Sequence, residues 1–219
     1  YALNTPCSGL ALRLKDKQYN CTLELTYHVF EQMNVITRSS RLINTSDEEI
    51  TLERLMSTQL DLSDDGWIFS SFHGAWAREM NRCDLPTGPV KITNQSYCGV
   101  SSNRSNPFVM LSRKETTEDC GECYGVNLVY SGNHAETVEV SAFSKTRMTA
   151  GINPASFQFH LAPNEEFEAP EAVMTYSNEG FNGMSRNMHQ FVRNCIVRGV
   201  WKDKPRPVLL NSWEAAYFD

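Results

Sequence analysis

No apolar run in this 219-residue sequence approaches the roughly 20 residues that would cross a bilayer as a helix. The opening Tyr1-Ala-Leu-Asn4 has neither the charged nor the apolar region of a secretory signal. Basic charge of one sign is also missing. Lys and Arg are scattered among a larger number of Asp and Glu, the net charge is −6, and no stripe is present for a phosphate backbone to read. Nucleic acid and membrane are therefore both excluded as expected partners. Internal repeats and low-complexity segments are lacking, which removes solenoids and linkers and leaves one large domain with a real core.

Metal-ligand spacing is scarce. The histidines His28, His73, His134, His160 and His189 are dispersed, with no His-Glu-x-x-His and no pair. Cys120-Gly-Glu-Cys123 has the spacing of half a zinc site, but no second pair completes the four ligands such a site needs. Gly121-Glu122 reads better as a hairpin turn. The seven cysteines are an odd number in a chain too long to need staples, which points to thiols in a reducing cytosol. Four sequons, at Asn20, Asn44, Asn94 and Asn103, argue the other way, toward a secreted glycoprotein. Gly183-Met-Ser185 has part of a nucleophile-elbow pattern, but Asn187 stands where the second glycine belongs and the segment opens a helix.

What is present is short-period alternation. Cys21, Leu23, Leu25, Tyr27 and Val29 alternate with Thr22, Glu24, Thr26 and His28, the signature of a half-buried strand. Further strands are expected at 34–43, 108–111, 124–130, 137–143, 146–152, 156–161 and 172–176, separated by Gly, Pro, Asn and acidic turns. Ile50 to Leu62 reads as one strand whose parity breaks at Leu55, so a bulge near Arg54 is expected. Asp64-Asp-Gly66 marks a tight turn. Many short strands at this spacing mean an antiparallel two-sheet sandwich. From Asn182 the period changes: Met184, Met188, Phe191, Val192, Cys195 and Ile196 recur at helical spacing, and Gly199 ends that helix. After two prolines, Val208, Leu209 and Leu210 form an unalternated apolar run, as in a parallel strand buried on both faces.

Arg206-Pro-Val-Leu-Leu-Asn-Ser-Trp-Glu-Ala-Ala-Tyr-Phe-Asp219 resembles the first barrel strand of the family 36 glycoside hydrolases, the alpha-galactosidases. Gly74-Ala-Trp-Ala-Arg-Glu79, Asn106-Pro-Phe108, Val129-Tyr-Ser-Gly-Asn133, Gly151-Ile-Asn-Pro154, Pro170-Glu-Ala-Val-Met174 and Asn182-Gly-Met-Ser185 resemble other motifs of that family, in the same order. The resemblance implies an all-β fold: a large, supersandwich-like β-sandwich over residues 1–177, a helix and linker over 178–205, and over 206–219 the first strand of a (β/α)8 barrel that lies outside this chain. It implies a parent enzyme that hydrolyses terminal alpha-galactosides of the melibiose and raffinose type with retention. Such enzymes use two carboxylates about 5–5.5 Å apart, and in the resembled family both are aspartates on barrel strands beyond Asp219. No catalytic residue, metal or cofactor is therefore expected in this chain.

Acidic clusters at 47–49, 64–65, 118–119 and 165–166 fall in turns, where solvated charge explains them. The resemblance places Trp76 and Trp213 in the sugar pocket, because an indole stacks on the apolar face of galactose while its N–H bonds a hydroxyl. Trp67 and Trp201 match no such motif and are expected to be structural. The implied partners are a small oligosaccharide substrate and further copies of the enzyme, as a dimer or tetramer, in the cytoplasm. The competing reading from another class is a stand-alone carbohydrate-binding or protein-interaction sandwich.

Overall fold

The computed structural model describes residues 5–101 and 104–217. Asn103, one of the four sequons, and Phe218, near the end of the barrel-strand motif, lie outside the described residues. In chain order the first strands are β1 (Ser8–Asp16), β2 (Cys21–Phe30), β3 (Val35–Asn44), β4 (Ile50–Leu52), β5 (Met56–Leu62), β6 (Ile68–Ala75), β7 (Arg78–Pro86) and β8 (Ile92–Gln95). There follow β9 (Phe108–Ser112), β10 (Cys123–Leu128), β11 (His134–Val140), β12 (Thr146–Ile152), β13 (Phe159–Leu161), β14 (Glu166–Glu168) and β15 (Ala172–Ser177). Helix α1 (Gly180–Phe191) and the short α2 (Trp213–Ala216) complete the set.

Nine strands form one antiparallel sheet in the order β1-β2-β3-β15-β10-β9-β6-β7, with β14 added to β3. A four-stranded sheet, β5-β12-β11-β8, covers the middle of one face of it, and β4 pairs with β13 apart from both. Strict alternation decides what each face of the large sheet meets. Val109, Leu111 and Val126 point between the sheets and pack with Trp67, Phe69, Leu62, Val138 and Met148. Met110 and Cys123 point the other way and lie under Phe181 and Met184 of α1. The centre is thus covered twice, by a sheet on one face and by a helix on the other.

Helix α1 is seated by two close approaches. A Cβ on Gly125 would stand 2.7 Å from the sulfur of Met184, so the bare backbone lets the helix settle on the sheet. Gly180 has φ +72°, and a Cβ there would meet the backbone of Thr117 and Cys120 at 2.5 Å. No side chain caps the helix. Its first amide groups donate to loop carbonyls instead, Phe181 to Thr117 at 3.1 Å and Asn182 to Glu118 at 2.8 Å. Phe191 closes the helix against Phe30 with ring centres 5.1 Å apart, and a π turn over Val192–Ile196 follows.

Most expected strands lie where the alternation put them, with three differences. Ile50 to Leu62 is not one bulged strand: the chain leaves β4 at Glu53 and enters β5, which belongs to another sheet, because a change of sheet also restores an inward face after a parity break. In β2, besides the terminal Phe30, the buried side chain is Glu24, bonded by Arg13 of β1 and Arg41 of β3, while the leucines of the opposite face stay partly exposed. The core cluster between the sheets takes no residue from β1 or β2, so that face has no cover. Val208, Leu209 and Leu210 join no strand among the described residues and are 100%, 90% and 85% exposed. An apolar run of this kind needs helices over both faces of a sheet, and none are supplied here. Strands β1, β6, β7, β8 and β14 were not foreseen, and Glu166 lies in β14 rather than in a turn. Strands β1 and β7 are exposed throughout; β1 carries an overlooked alternation at Leu10, Leu12 and Leu14, whereas β7 shows no regular apolar face.

Candidate functional site

Trp76 and Ala77 form the turn of the β6–β7 hairpin, between Ala75 and Arg78, which pair across it. Ala77 takes a left-handed conformation at φ +58°, and its amide donates to the Glu79 carboxylate at 2.9 Å. The indole of Trp76 is 91% exposed, the most solvated of the four tryptophans. An aromatic that stands in water contributes nothing to the core, so its stability role is small and its platform is available to a partner.

The root of this hairpin is held on two sides. Toward α1, the Arg82 guanidinium lies 4.3 Å over the Phe181 ring, and Phe72 packs on Phe108 with centres 5.7 Å apart. These groups wall a cavity of about 520 Å³ beneath the helix. Ser70 and Arg82 both donate to Asp84 Oδ1, at 2.5 and 2.7 Å. On the other side the Asn106 amide donates to the Phe72 carbonyl at 3.0 Å. His73 Nδ1 faces the Arg104 carbonyl at 2.9 Å, so that nitrogen carries the proton and Nε2 accepts from the Ser71 hydroxyl at 2.7 Å.

Behind residues 104–106 lies a polar cluster, fully interior, that the sequence reading passed over. His134 and Glu136, two apart on β11, point the same way, and His134 Nδ1 meets Glu136 Oε2 at 3.0 Å. His134 Nε2 donates to the Ser105 carbonyl at 2.9 Å. Asn94 of β8 donates to Glu136 Oε2 at 2.7 Å and to the Asn106 carbonyl at 2.8 Å, and it accepts from the Ser105 hydroxyl at 2.6 Å. Burial pulls the His134 pKa down, but the bond to Glu136 and its charge raise it above the usual histidine value overall. Burial raises Glu136 likewise, so the pair holds on to its proton. The available sequence signal was His-x-Glu entering a buried strand, since alternation alone puts both groups on one face.

Trp213 opens α2, its amide accepted by Asn211 Oδ1 at 3.0 Å, and its ring is 51% exposed beside the bare Val208–Leu210 run. It stands on a different element from Trp76. Trp67 is core as expected: its Nε1 donates to Asp64 at 3.0 Å, and Arg113 stacks 3.6 Å over the ring. Trp201 lies half-exposed in a 3-10 turn.

The remaining sequence candidates fall apart in space or into structural duties. Cys120 is exposed while Cys123 is buried under α1, its thiol pushed up to about 11 by burial. Gly121-Glu122 ends a longer loop joining β9 to β10. Ser185 sits inside α1, away from any strand-to-helix elbow. Asp64 is held below the usual carboxylate range by the Arg113 guanidinium, and Glu165 bonds the Ala162 amide. Two sequon asparagines are interior: Asn44 spends its amide on the Glu48 and Leu161 carbonyls and Asn94 on the polar cluster, so neither amide is open to a glycan. No helix among the described residues is long and apolar enough to cross a membrane.

A second and larger cavity, about 710 Å³, opens at the end of β15 between the β2–β3 turn and α1. Tyr124 and Tyr176 meet there at a tilt of 51°, with ring centres 5.0 Å apart. Asn187 donates to the Thr175 hydroxyl at 3.0 Å, which in turn donates to the Asn34 carbonyl at 2.6 Å.

Comparison with known proteins matches residues 2–162 to the glycosyl hydrolase family 36 N-terminal domain and residues 166–219 to the Melibiase family. The chain is 41% identical over 212 residues to the alpha-galactosidase AgaA of Geobacillus stearothermophilus, covering 96% of this chain and 29% of that protein. It is 40% identical to the alpha-galactosidase Mel36A of Lactobacillus acidophilus, again covering 96% of this chain and 29% of the relative. Among solved structures, the alpha-galactosidase of Lactobacillus brevis superposes with a TM-score of 0.95 at 38% identity, over 99% of this chain and 29% of that one. A Geobacillus stearothermophilus AgaA variant in complex with raffinose superposes at 0.93 with 39% identity, over 96% of this chain and 29% of that one. The chain therefore spans under a third of the length of these relatives. With its doubly covered sheet and its motifs in the family's order, it belongs to the glycosyl hydrolase family 36 N-terminal domains.

Proposed function

We propose that this chain is the sandwich portion of an alpha-galactosidase that hydrolyses terminal alpha-D-galactosides of the melibiose and raffinose type with retention, and that Trp76 and Trp213 line its sugar pocket. The relative solved with raffinose supports the substrate class. The observation that carries the role of this chain is the 91% exposed Trp76 at the tip of a hairpin braced on both sides. A flat indole on a fixed support provides a stacking surface for one pyranose face, at little entropic cost because the tip is already ordered.

In this reading the nucleophile and the acid/base belong to the remainder of the enzyme, on its (β/α)8 barrel, and residues 206–219 form that barrel's first strand. Residues 1–177 are the sandwich and 178–205 the helix and linker. Trp213, directly after Val208–Leu210, then stands at the mouth of the barrel, where strand ends present groups to substrate. The sandwich also supplies contacts between subunits of a dimer or tetramer, with the pocket wall coming from its own or an adjacent subunit. The buried Asn44 and Asn94 support a cytoplasmic location over a glycosylated one.

The test is kinetic. In the complete enzyme, Trp76→Ala should raise KM for a nitrophenyl alpha-galactoside or lower kcat/KM by a factor equivalent to about 1–3 kcal/mol, the loss of one aromatic platform. The 219-residue chain alone should show no turnover. Activity of the purified chain that a point substitution within it abolishes would overturn the assignment.

A further inference from the structure

The interior cluster His134, Glu136, Asn94 and Ser105 has no place in the sugar contacts, yet it is made of polar groups buried where apolar side chains would pack at lower cost. All four side chains are bonded: both nitrogens of His134, the Glu136 carboxylate, both ends of the Asn94 amide and the Ser105 hydroxyl. Its bonds also leave the small sheet. Asn94 comes from β8 and His134 and Glu136 from β11, and what they grip is the Ser105 carbonyl, the Ser105 hydroxyl and the Asn106 carbonyl.

The other side of that gripped segment holds the hairpin. Asn106 donates to Phe72 at 3.0 Å and His73 donates to the Arg104 carbonyl at 2.9 Å. Regular pairing of β6 with β9 stops at Ser71 and Val109. Pro107 has no amide to extend it, so residues 104–106 continue the ladder only where something else fixes them. The cluster holds them from the side of the small sheet.

We propose that His134, with Glu136, Asn94 and Ser105, is a positioning unit: it anchors residues 104–106 to the small sheet and thereby sets the direction of the β6–β7 hairpin that presents Trp76. Its consequence for catalysis rests on the sugar-binding reading of Trp76; its mechanical part does not. None of the four touches substrate.

The experiment measures amide hydrogen exchange on the 219-residue chain with His134→Gln and with the milder Ser105→Ala. Amides over 71–82 should exchange at least about tenfold faster in the first and roughly threefold faster in the second, while β10 and β12 change less than about twofold. Uniform acceleration through the sandwich, or an unchanged hairpin, overturns the proposal. In the complete enzyme, Ser105→Ala should raise KM for a nitrophenyl alpha-galactoside with kcat kept, and should add nothing to Trp76→Ala. A KM shift that adds fully to that of Trp76→Ala also contradicts the proposal. If Trp76→Ala itself leaves KM unchanged, the sugar reading fails, and the exchange arm still decides whether the cluster braces the hairpin.

Discussion

The middle of the large sheet and its two margins are built from one continuous ladder, yet they obey different rules. At the centre, β9 and β10 are covered by the small sheet on one face and by α1 on the other, and every second residue is apolar or as small as Gly125. At the margins, β1 and β7 are exposed on both faces, and Leu10, Leu12 and Leu14 stand partly in water. Stability therefore resides in the centre, and exposed apolar surface lies at the margins and in the bare Val208–Leu210 run. Burial and exposed apolar surface are thus separated along a single sheet, and substitutions can test that separation.

The largest effect belongs to the doubly covered region. Phe69→Ala removes a ring packed between the sheets and should cost about 3–5 kcal/mol, read as a drop in Tm and in the denaturant midpoint. His134→Ala should come next, at about 3 kcal/mol, because it leaves Glu136 buried without its partner. That loss depends on pH. The folded pKa of His134 lies above the unfolded value near 6.5, so the folded state binds the proton more tightly; the stabilisation is complete below about pH 6.5 and fades as pH rises through the folded value. Burial raises Glu136 as well, so the parent chain should lose more Tm between pH 6 and pH 9 than a chain in which the whole pair is replaced, His134→Gln with Glu136→Gln, and an equal loss in the two would break the assignment of the shared proton.

Gly180→Ala is expected to cost about 1–3 kcal/mol, since it forces a Cβ into a left-handed residue against the backbone of Cys120. A melt unchanged by that substitution would show that α1 can reseat, and would weaken the case that the helix covers the sheet rigidly.

How far the sequence reveals this molecule follows the same division. Where a strand has a face against the core, as β12 has with Met148 and Ala150, apolar residues recur at period 2 and mark it. The helix is as plain, because Met184, Met188 and Phe191 recur on its sheet-facing side. Strand β7 is wet on both faces and lacks a regular apolar alternation, so only its pairing with β6 reveals it, whereas β1 carries Leu10, Leu12 and Leu14 at period 2 and its contrast was overlooked. The split of 50–62 into β4 and β5 was hidden because a bulge and a change of sheet leave the same parity break. Trp76 and Trp213 were singled out through motif resemblance, whereas composition would have placed both in the core, and both are exposed. The brace behind Trp76 was not found, since Asn94, Ser105 and His134 are far apart in sequence and only the fold gathers them.

Trp76 has the smallest expected effect on stability and the most direct expected effect on sugar binding. In paired measurements, Trp76→Ala should leave the melting curve of the chain within about 0.5 kcal/mol of the parent and lower kcat/KM of the complete enzyme on a nitrophenyl alpha-galactoside by a factor equivalent to about 1–3 kcal/mol. An unchanged kcat/KM with a collapsed Tm would contradict the role of Trp76 as a sugar platform and assign it to stability instead.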